Sequence, residues 1–144
     1  MWREKGSGDV TRRDLALEYA QRWIGTFYSW GGDDPSGFDC SGFVQEVLQS
    51  VGIMPRSLDL PASGLAARFS AKACEPKPGA LLFRGNPATH VEMVLAVLDG
   101  VILTIGASGG TSRTKTKEDA IRDNAFIKMR PWVGDYSACV DPFA

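Results

Sequence analysis

The order of patterns along this chain predicts an α+β fold, with N-terminal helices packed on an antiparallel β-sheet. Helical periodicity is confined to the first half, over residues 12–24 and from 40 to about 52. The second half carries short apolar runs separated by turn residues, and Asp99-Gly100 joins two of them as a hairpin. Helices first and strands later is the α+β order, not the alternation that builds a parallel sheet.

Each element has its own signal. Thr11, with Asp14 three residues on, starts the first helix as a capping box, and Gly25 ends it. Leu15, Tyr19 and Trp23 recur along it at four-residue spacing, with Ala16, Ala20 and Ile24 beside them. An aromatic segment, Phe27-Tyr28-Ser29-Trp30, leads into the turn-rich run from Gly31 to Gly37. A second helix begins near Cys40, buries Phe43, Val44, Val47, Leu48 and Val51, and closes at Gly52. A short helix is expected near 62–70 inside a long loop. Strands follow at Ala80–Phe83, His90 to about Leu98, and Val101–Ile105, and the glycine-rich run Gly106–Gly110 interrupts the sheet. Thr116 and Asp119 cap another short helix, and Ala125–Arg130 forms a last strand stopped by Pro131.

A length of 144 residues buries the core of one domain, and residues 1–10 read as a flexible arm. Sixteen Lys plus Arg balance seventeen Asp plus Glu, a net charge of -1. That balance removes the main electrostatic reason to expect nucleic acid or an anionic membrane as partner. The opening Met1-Trp2-Arg3-Glu4-Lys5-Gly6 has no apolar segment behind its charges, so no signal peptide is read. The longest apolar stretch, Met93–Ile105, is broken by Asp99-Gly100, and no membrane insertion is expected. The expectation is a chain made in the cytoplasm and carried to its place of action by another route.

Three cysteines, Cys40, Cys74 and Cys139, are too few and scattered for a disulfide framework, and no C-x-x-C pair exists. A zinc site would need all three and His90 from four distant segments, so neither metal nor cofactor is expected. Cys40 is the cysteine whose position matters. It follows a glycine-rich loop and opens a helix, where unpaired N–H groups favour a thiolate. On position alone an inert buried cysteine is the commoner case. His90 alters that balance, because it is the only histidine, stands at a strand's first residue, and an imidazole suits general-base work at neutral pH. Sequence spacing does not establish that the two meet.

Four segments, in order, resemble the NlpC/P60 family of cysteine peptidases. They are Gly25-Thr26-Phe27-Tyr28-Ser29-Trp30-Gly31-Gly32, Gly37-Phe38-Asp39-Cys40-Ser41-Gly42-Phe43-Val44, Pro78-Gly79-Ala80-Leu81-Leu82-Phe83, and His90-Val91. The resemblance covers about residues 12–130 and implies a papain-like fold. It also implies hydrolysis of amide bonds in peptidoglycan stem peptides, typically between D-glutamate and a diamino acid. Carried over position by position, Cys40 matches the nucleophile and His90 the base. Tyr28 matches a tyrosine near the oxyanion, and Asp39 and Ser41 match residues lining the site. The run Ala107-Ser108-Gly109-Gly110 resembles members carried by bacteriophages, which implies a phage particle or other delivery machinery as partner.

The chain departs from the family pattern at three places. Ala80 stands where an aspartate is usual, and Glu92 where a small residue is usual. Gly106 occupies the place of the third polar residue that orients the base. Counting back across the Asp99-Gly100 turn puts Gly106 opposite Met93, and the orienting group is then absent or comes from Ser108, Thr104, Glu92, a carbonyl or water. Two readings compete with the hydrolase: a non-catalytic module that binds a peptide or a partner protein, and a thiol amidase or acyltransferase on another substrate. Weaker signals are a basic run at Arg113, Lys115 and Lys117, a contact for anionic cell-wall polymer or, more commonly, a solvated face, and Trp30 and Trp132, which either line a groove for glycan or peptide or, by default, pack in the core.

Overall fold

The computed structural model of the chain describes residues 10–34 and 37–144. The expected arm lies, apart from Val10, outside the described residues. Helix α1 (Arg12–Gln21) starts as its capping box requires: the Thr11 hydroxyl accepts from the Asp14 N–H at 3.0 Å, and the Asp14 carboxylate accepts from the Thr11 N–H at 3.3 Å. It ends at Gln21, short of the expected residue 24. The reason is tertiary: the Gly25 N–H donates to the Ile127 carbonyl at 2.9 Å, and the Ile127 N–H returns a bond to the Thr26 carbonyl at 2.9 Å. The buried residues of α1 are Ala16 and Ala20, whereas Leu15 is exposed and Leu17, Tyr19 and Trp23 pack against the core only in part.

Strands β1 (Asp33–Asp34) and β2 (Gly37–Phe38) fold the turn-rich run into a two-stranded hairpin. Helix α2 (Cys40–Ser50) follows at once and is the buried centre of the molecule: Phe43, Val44, Val47 and Leu48 have no exposed surface, and Val51, just past its end, is half-buried. Helix α3 (Ala62–Arg68) and a 3₁₀ turn at Ser70–Lys72 divide the segment expected as one short helix.

Five antiparallel strands form the main sheet: β3 (Leu81–Arg84), β4 (His90–Leu98), β5 (Val101–Ser108), β6 (Phe126–Pro131) and β7 (Ala138–Val140). Their spatial order is β6-β5-β4-β3-β7. A short helix, α4 (Lys117–Asp123), capped by Thr116 and Asp119, connects β5 to β6. Gly106 does not interrupt the sheet. It pairs with Lys128 inside β5, and the chain turns only at Gly109, whose φ of 90° suits glycine. Pro131 is the last paired residue of β6, an edge strand where a missing N–H costs no ladder bond on the open side. Strand β7 was not expected, because three residues carry no readable alternation.

One irregularity changes a sequence-based register. Val94 pairs with Thr104 and Ala96 with Leu103, so Leu95 is an extra residue bulged out of β4. Met93 therefore pairs with Ile105, and Gly106 falls opposite Glu92, not opposite Met93. Met93, Ile105, Val91, Leu81, Phe83 and Ile127 face the helices in the main core. The other sheet face buries Ala80, Leu82, Val94, Cys139 and Trp132, so the segment after Pro131 covers the sheet's back.

Asp141 fastens that segment. Its carboxylate is buried and takes a bidentate pair from Arg13 at 3.0 and 2.9 Å and a bond from Lys77 at 2.9 Å. Burial alone would raise its pKa, but bonds from Arg13, Lys77 and the Phe143 N–H pull it down to about 2. Asp141→Ala is expected to cost roughly 2–4 kcal/mol of unfolding free energy, read by chemical denaturation, because it strands a partly buried guanidinium. With its pKa depressed, Asp141 contributes stability that is complete above the ordinary aspartate range and is lost as pH falls towards 2. The variant should therefore show a flatter acid limb than the wild type.

Candidate active site

Cys40 is the first residue of α2, and Asp39 sets that helix end. The Asp39 carboxylate accepts from the Gly42 N–H at 2.7 Å, the Gly31 N–H at 3.1 Å and the Ser41 hydroxyl at 3.4 Å. Burial pushes the Asp39 pKa up against these bonds. Gly42 has a steric duty: a Cβ there would stand 2.0 Å from the Gly32 carbonyl oxygen, so only glycine lets the Gly31-Gly32 turn close over the helix start.

Tyr28 enters from the segment before the hairpin and is almost wholly buried. Its ring lies against Gly110, where an added Cβ would come within 2.1 Å of Cδ1. Burial, reinforced by the negative charge of Cys40 and Asp39, raises its pKa, so the phenol keeps its proton and stays a donor.

His90 opens β4 and lines the same cleft as Cys40. Its Nε2 lies 2.5 Å from Glu92 Oε2. The Trp132 ring stacks on the imidazole at 6.3 Å between centroids, and the Arg84 guanidinium caps Trp132 at 4.2 Å. Burial alone would lower the His90 pKa. The bonds to Cys40 and Glu92, with their charges, outweigh it and raise the value from 6.5 to about 9. Glu92 is fully buried. Its Oε1 accepts from the Thr104 hydroxyl at 2.6 Å and its Oε2 from Arg130 at 2.7 Å. Burial would raise its pKa, but bonds from His90 and Arg130, the His90 charge and the Thr104 bond bring it to about 2.

These groups meet at a cleft of about 540 Å³ whose lining includes Tyr28, Trp30, Cys40, Asp59, His90 and Ser108. The facing wall is the stretch Asp59–Ala62, which Gln45 of α2 ties down: its Oε1 accepts from the Leu60 N–H at 2.6 Å and its Nε2 donates to the Leu60 carbonyl at 2.8 Å. Ser108 Oγ is buried in the lining without a partner among the described residues. None of residues 131–144 lines the cleft.

Cys40, His90, Tyr28, Asp39 and Ser41 thus converge from α2, β4 and the segment before them. Neither Gly106 nor Ser108 holds His90: Gly106 has no side chain, and Ser108 Oγ has no hydrogen-bond partner among the described residues. The group on the imidazole is Glu92. Arg130, Trp132, Gln45 and the Asp59 wall escaped sequence reasoning. They lie far along the chain from the residues they touch; of the two tryptophans, Trp30 is exposed and lines the cleft instead of packing in the core, while Trp132 is buried and stacks on His90. Cys74 and Cys139 sit apart from the cleft, their sulfurs 3.7 Å from each other. Among the described residues, no three His, Cys, Asp or Glu side chains cluster as a metal site requires, and no helix is long and apolar enough to cross a membrane.

A family model described as NlpC/P60 family matches residues 25–130. Protein P54 of Enterococcus faecium is 42% identical over 94 residues, 65% of this chain and 18% of its own. A protein named probable endopeptidase p60, from Listeria innocua, is 39% identical over 75 residues, 50% of this chain and 15% of its own. The chain thus spans less than a quarter of the length of these curated relatives. The fold is shared with an NlpC/P60 family protein from Bacillus cereus, with a TM-score of 0.69 and 20% identity over 94% of this chain and 42% of that one. The peptidoglycan hydrolase RipB of Mycobacterium tuberculosis superposes with a TM-score of 0.66 and 22% identity, over 92% of this chain and 65% of that one.

The His90–Glu92 pair makes stability depend on pH with a definite sign. A histidine raised to about 9 in the folded state contributes stability that is complete below about 6.5 and is lost as pH rises through 9. The melting temperature is expected to fall between pH 6.5 and 9.5. In His90→Ala, calorimetry over the same range should find that loss removed.

Proposed function

Because the chain belongs to the NlpC/P60 family, we propose that it is a cysteine endopeptidase that cuts amide bonds in peptidoglycan stem peptides. The observation that carries this reading is the Cys40 thiol at the start of α2, in one open cleft with His90. A thiol beside a base and a preorganised donor set is the equipment of acyl transfer.

The chemistry follows from the positions. His90 takes the proton of Cys40, and the thiolate attacks the scissile carbonyl. The oxyanion accepts from the Cys40 backbone N–H, which lies in the first turn of α2 where helices leave N–H groups unpaired. The protonated Tyr28 hydroxyl is the second donor. The imidazolium then gives its proton to the leaving amine, and water, deprotonated by His90, opens the thioester and frees Cys40. Ser108 Oγ, buried with its hydrogen-bonding capacity unused, serves as a substrate contact. The bond between D-glutamate and a diamino acid is the cut we assign. Delivery by a phage particle or a lysis or secretion apparatus belongs to the same proposal, on the likeness of the 107–110 run to phage-borne members.

Purified peptidoglycan incubated with wild type, Cys40→Ala and His90→Ala, with released fragments identified by mass spectrometry, tests this reading. Stem-peptide fragments are expected from the wild type alone. Release that survives Cys40→Ala, or no release from any of the three, would sink it. Tyr28→Phe should lower kcat by roughly 100- to 1000-fold while the fold persists, the usual range for one oxyanion donor.

A further inference from the structure

We propose that Glu92 is the positioning residue of His90, reaching the imidazole from the base's own strand through the space that Gly106 leaves on the neighbouring one. This rests on His90 acting as the base. Three observations carry it. First, Glu92 has no exposed surface yet keeps a carboxylate whose two oxygens are occupied, Oε2 by His90 and Arg130 and Oε1 by Thr104. A buried carboxylate so bonded cannot swing away. Second, its partner on the ring is Nε2. An ionised carboxylate there keeps the Nε2 proton in place, so Nδ1 is the nitrogen left to exchange a proton with Cys40, and Glu92 decides which side of the ring does the acid–base work. Third, a Cβ on Gly106 would stand 2.5 Å from Glu92 Cγ. Any side chain at 106 and the observed Glu92 exclude each other, so the two residues work as a matched pair across β4 and β5.

The charged groups that face the imidazole are few. Cys40 reaches it from α2 and Glu92 from β4. Arg130 of β6 stands behind Glu92, and Arg84 of β3 behind Trp132. Glu92 is the carboxylate among them, so its removal has a specific signature that loss of packing does not share.

The test uses the chain's single histidine, which gives one unassisted imidazole signal in an NMR titration of untagged protein. In Glu92→Gln the His90 pKa is expected to fall from about 9 towards 6.5. The alkaline limb of kcat should move with it, and kcat itself should drop on the order of 100-fold with KM little changed. Gly106→Ala should lower kcat in the wild type by displacing Glu92 and have little effect in Glu92→Ala, a coupling that a double-mutant cycle reads directly. Because the Cβ of residue 106 would stand 2.5 Å from the position of Glu92 Cγ, Glu92→Ala combined with Gly106→Asp brings a carboxylate back beside the imidazole and should recover part of the loss. A folded Glu92→Gln with unchanged His90 titration and unchanged kcat would overturn the proposal, as would additive effects in the cycle. Should the wild type cut no peptidoglycan, the His90 titration and the alkylation rate of Cys40 by iodoacetamide still decide on Glu92. If Glu92→Ala does not fold, the Gln and Gly106→Ala variants carry the test.

Discussion

The seat of α2 on the sheet fixes where everything else in the cleft stands. The helix has to be buried along its length while its first turn remains reachable from solvent. Phe43, Val44, Val47 and Leu48, all without exposed surface, supply the anchor. At roughly 1.5–3 kcal/mol for each large apolar side chain buried, they outweigh a helix cap worth about 1 kcal/mol. Burial therefore sets the position of the helix axis, and the Asp39 cap sets only how the entering chain turns. Ser41 and Gly42 then keep the first turn slim, and the Gly31-Gly32 turn closes over it through a contact that leaves no room for a Cβ. The thiol at this helix end is placed by hydrophobic packing a full turn away from it.

A second constraint is electrostatic. Glu92 is a charge with no water around it, and such a group is tolerated only when donors surround it. Three do: an imidazole, a hydroxyl and a guanidinium. Apolar residues of similar size would serve stability as well or better. What a carboxylate adds is direction, because by holding Nε2 it leaves Nδ1 as the nitrogen of His90 that exchanges a proton. Trp132 complements it by stacking on the ring, so one contact fixes which nitrogen is held and the other limits the ring's tilt.

Much of this was legible in the chain because the signals were local. Asp39 before Cys40, the apolar stripe behind it, the Asp99-Gly100 turn and the lone histidine each speak through neighbouring residues. What was not legible depended on distant ones. The end of α1 is decided by Ile127, more than a hundred residues away, and the wall of the cleft by Gln45 reaching to Leu60. Arg130 is 38 residues from the carboxylate it meets. The bulge at Leu95 has no marker at all, since it lies inside the apolar run Met93–Val97 and no glycine or proline announces it.

That bulge has a large consequence for its size. Side chains alternate with a period of two, so a one-residue shift exchanges the faces that two strands present to each other. Without the extra residue, Gly106 would face Met93, and the one position in β5 with no side chain would lie against the main core. With it, Gly106 faces Glu92, and the carboxylate can lie over the strand towards Thr104 on the same face of β5. Thr104 in turn pairs with Arg130 on β6. His90, Glu92, Thr104 and Arg130 thus run as a diagonal across three adjacent strands, from the cleft to the sheet's edge. The edge matters because the Arg130 side chain is 42% exposed there, so the cation that balances Glu92 keeps much of its hydration. A buried carboxylate can then hold the base without a second fully buried charge, and the desolvation cost of the site falls on one group instead of two.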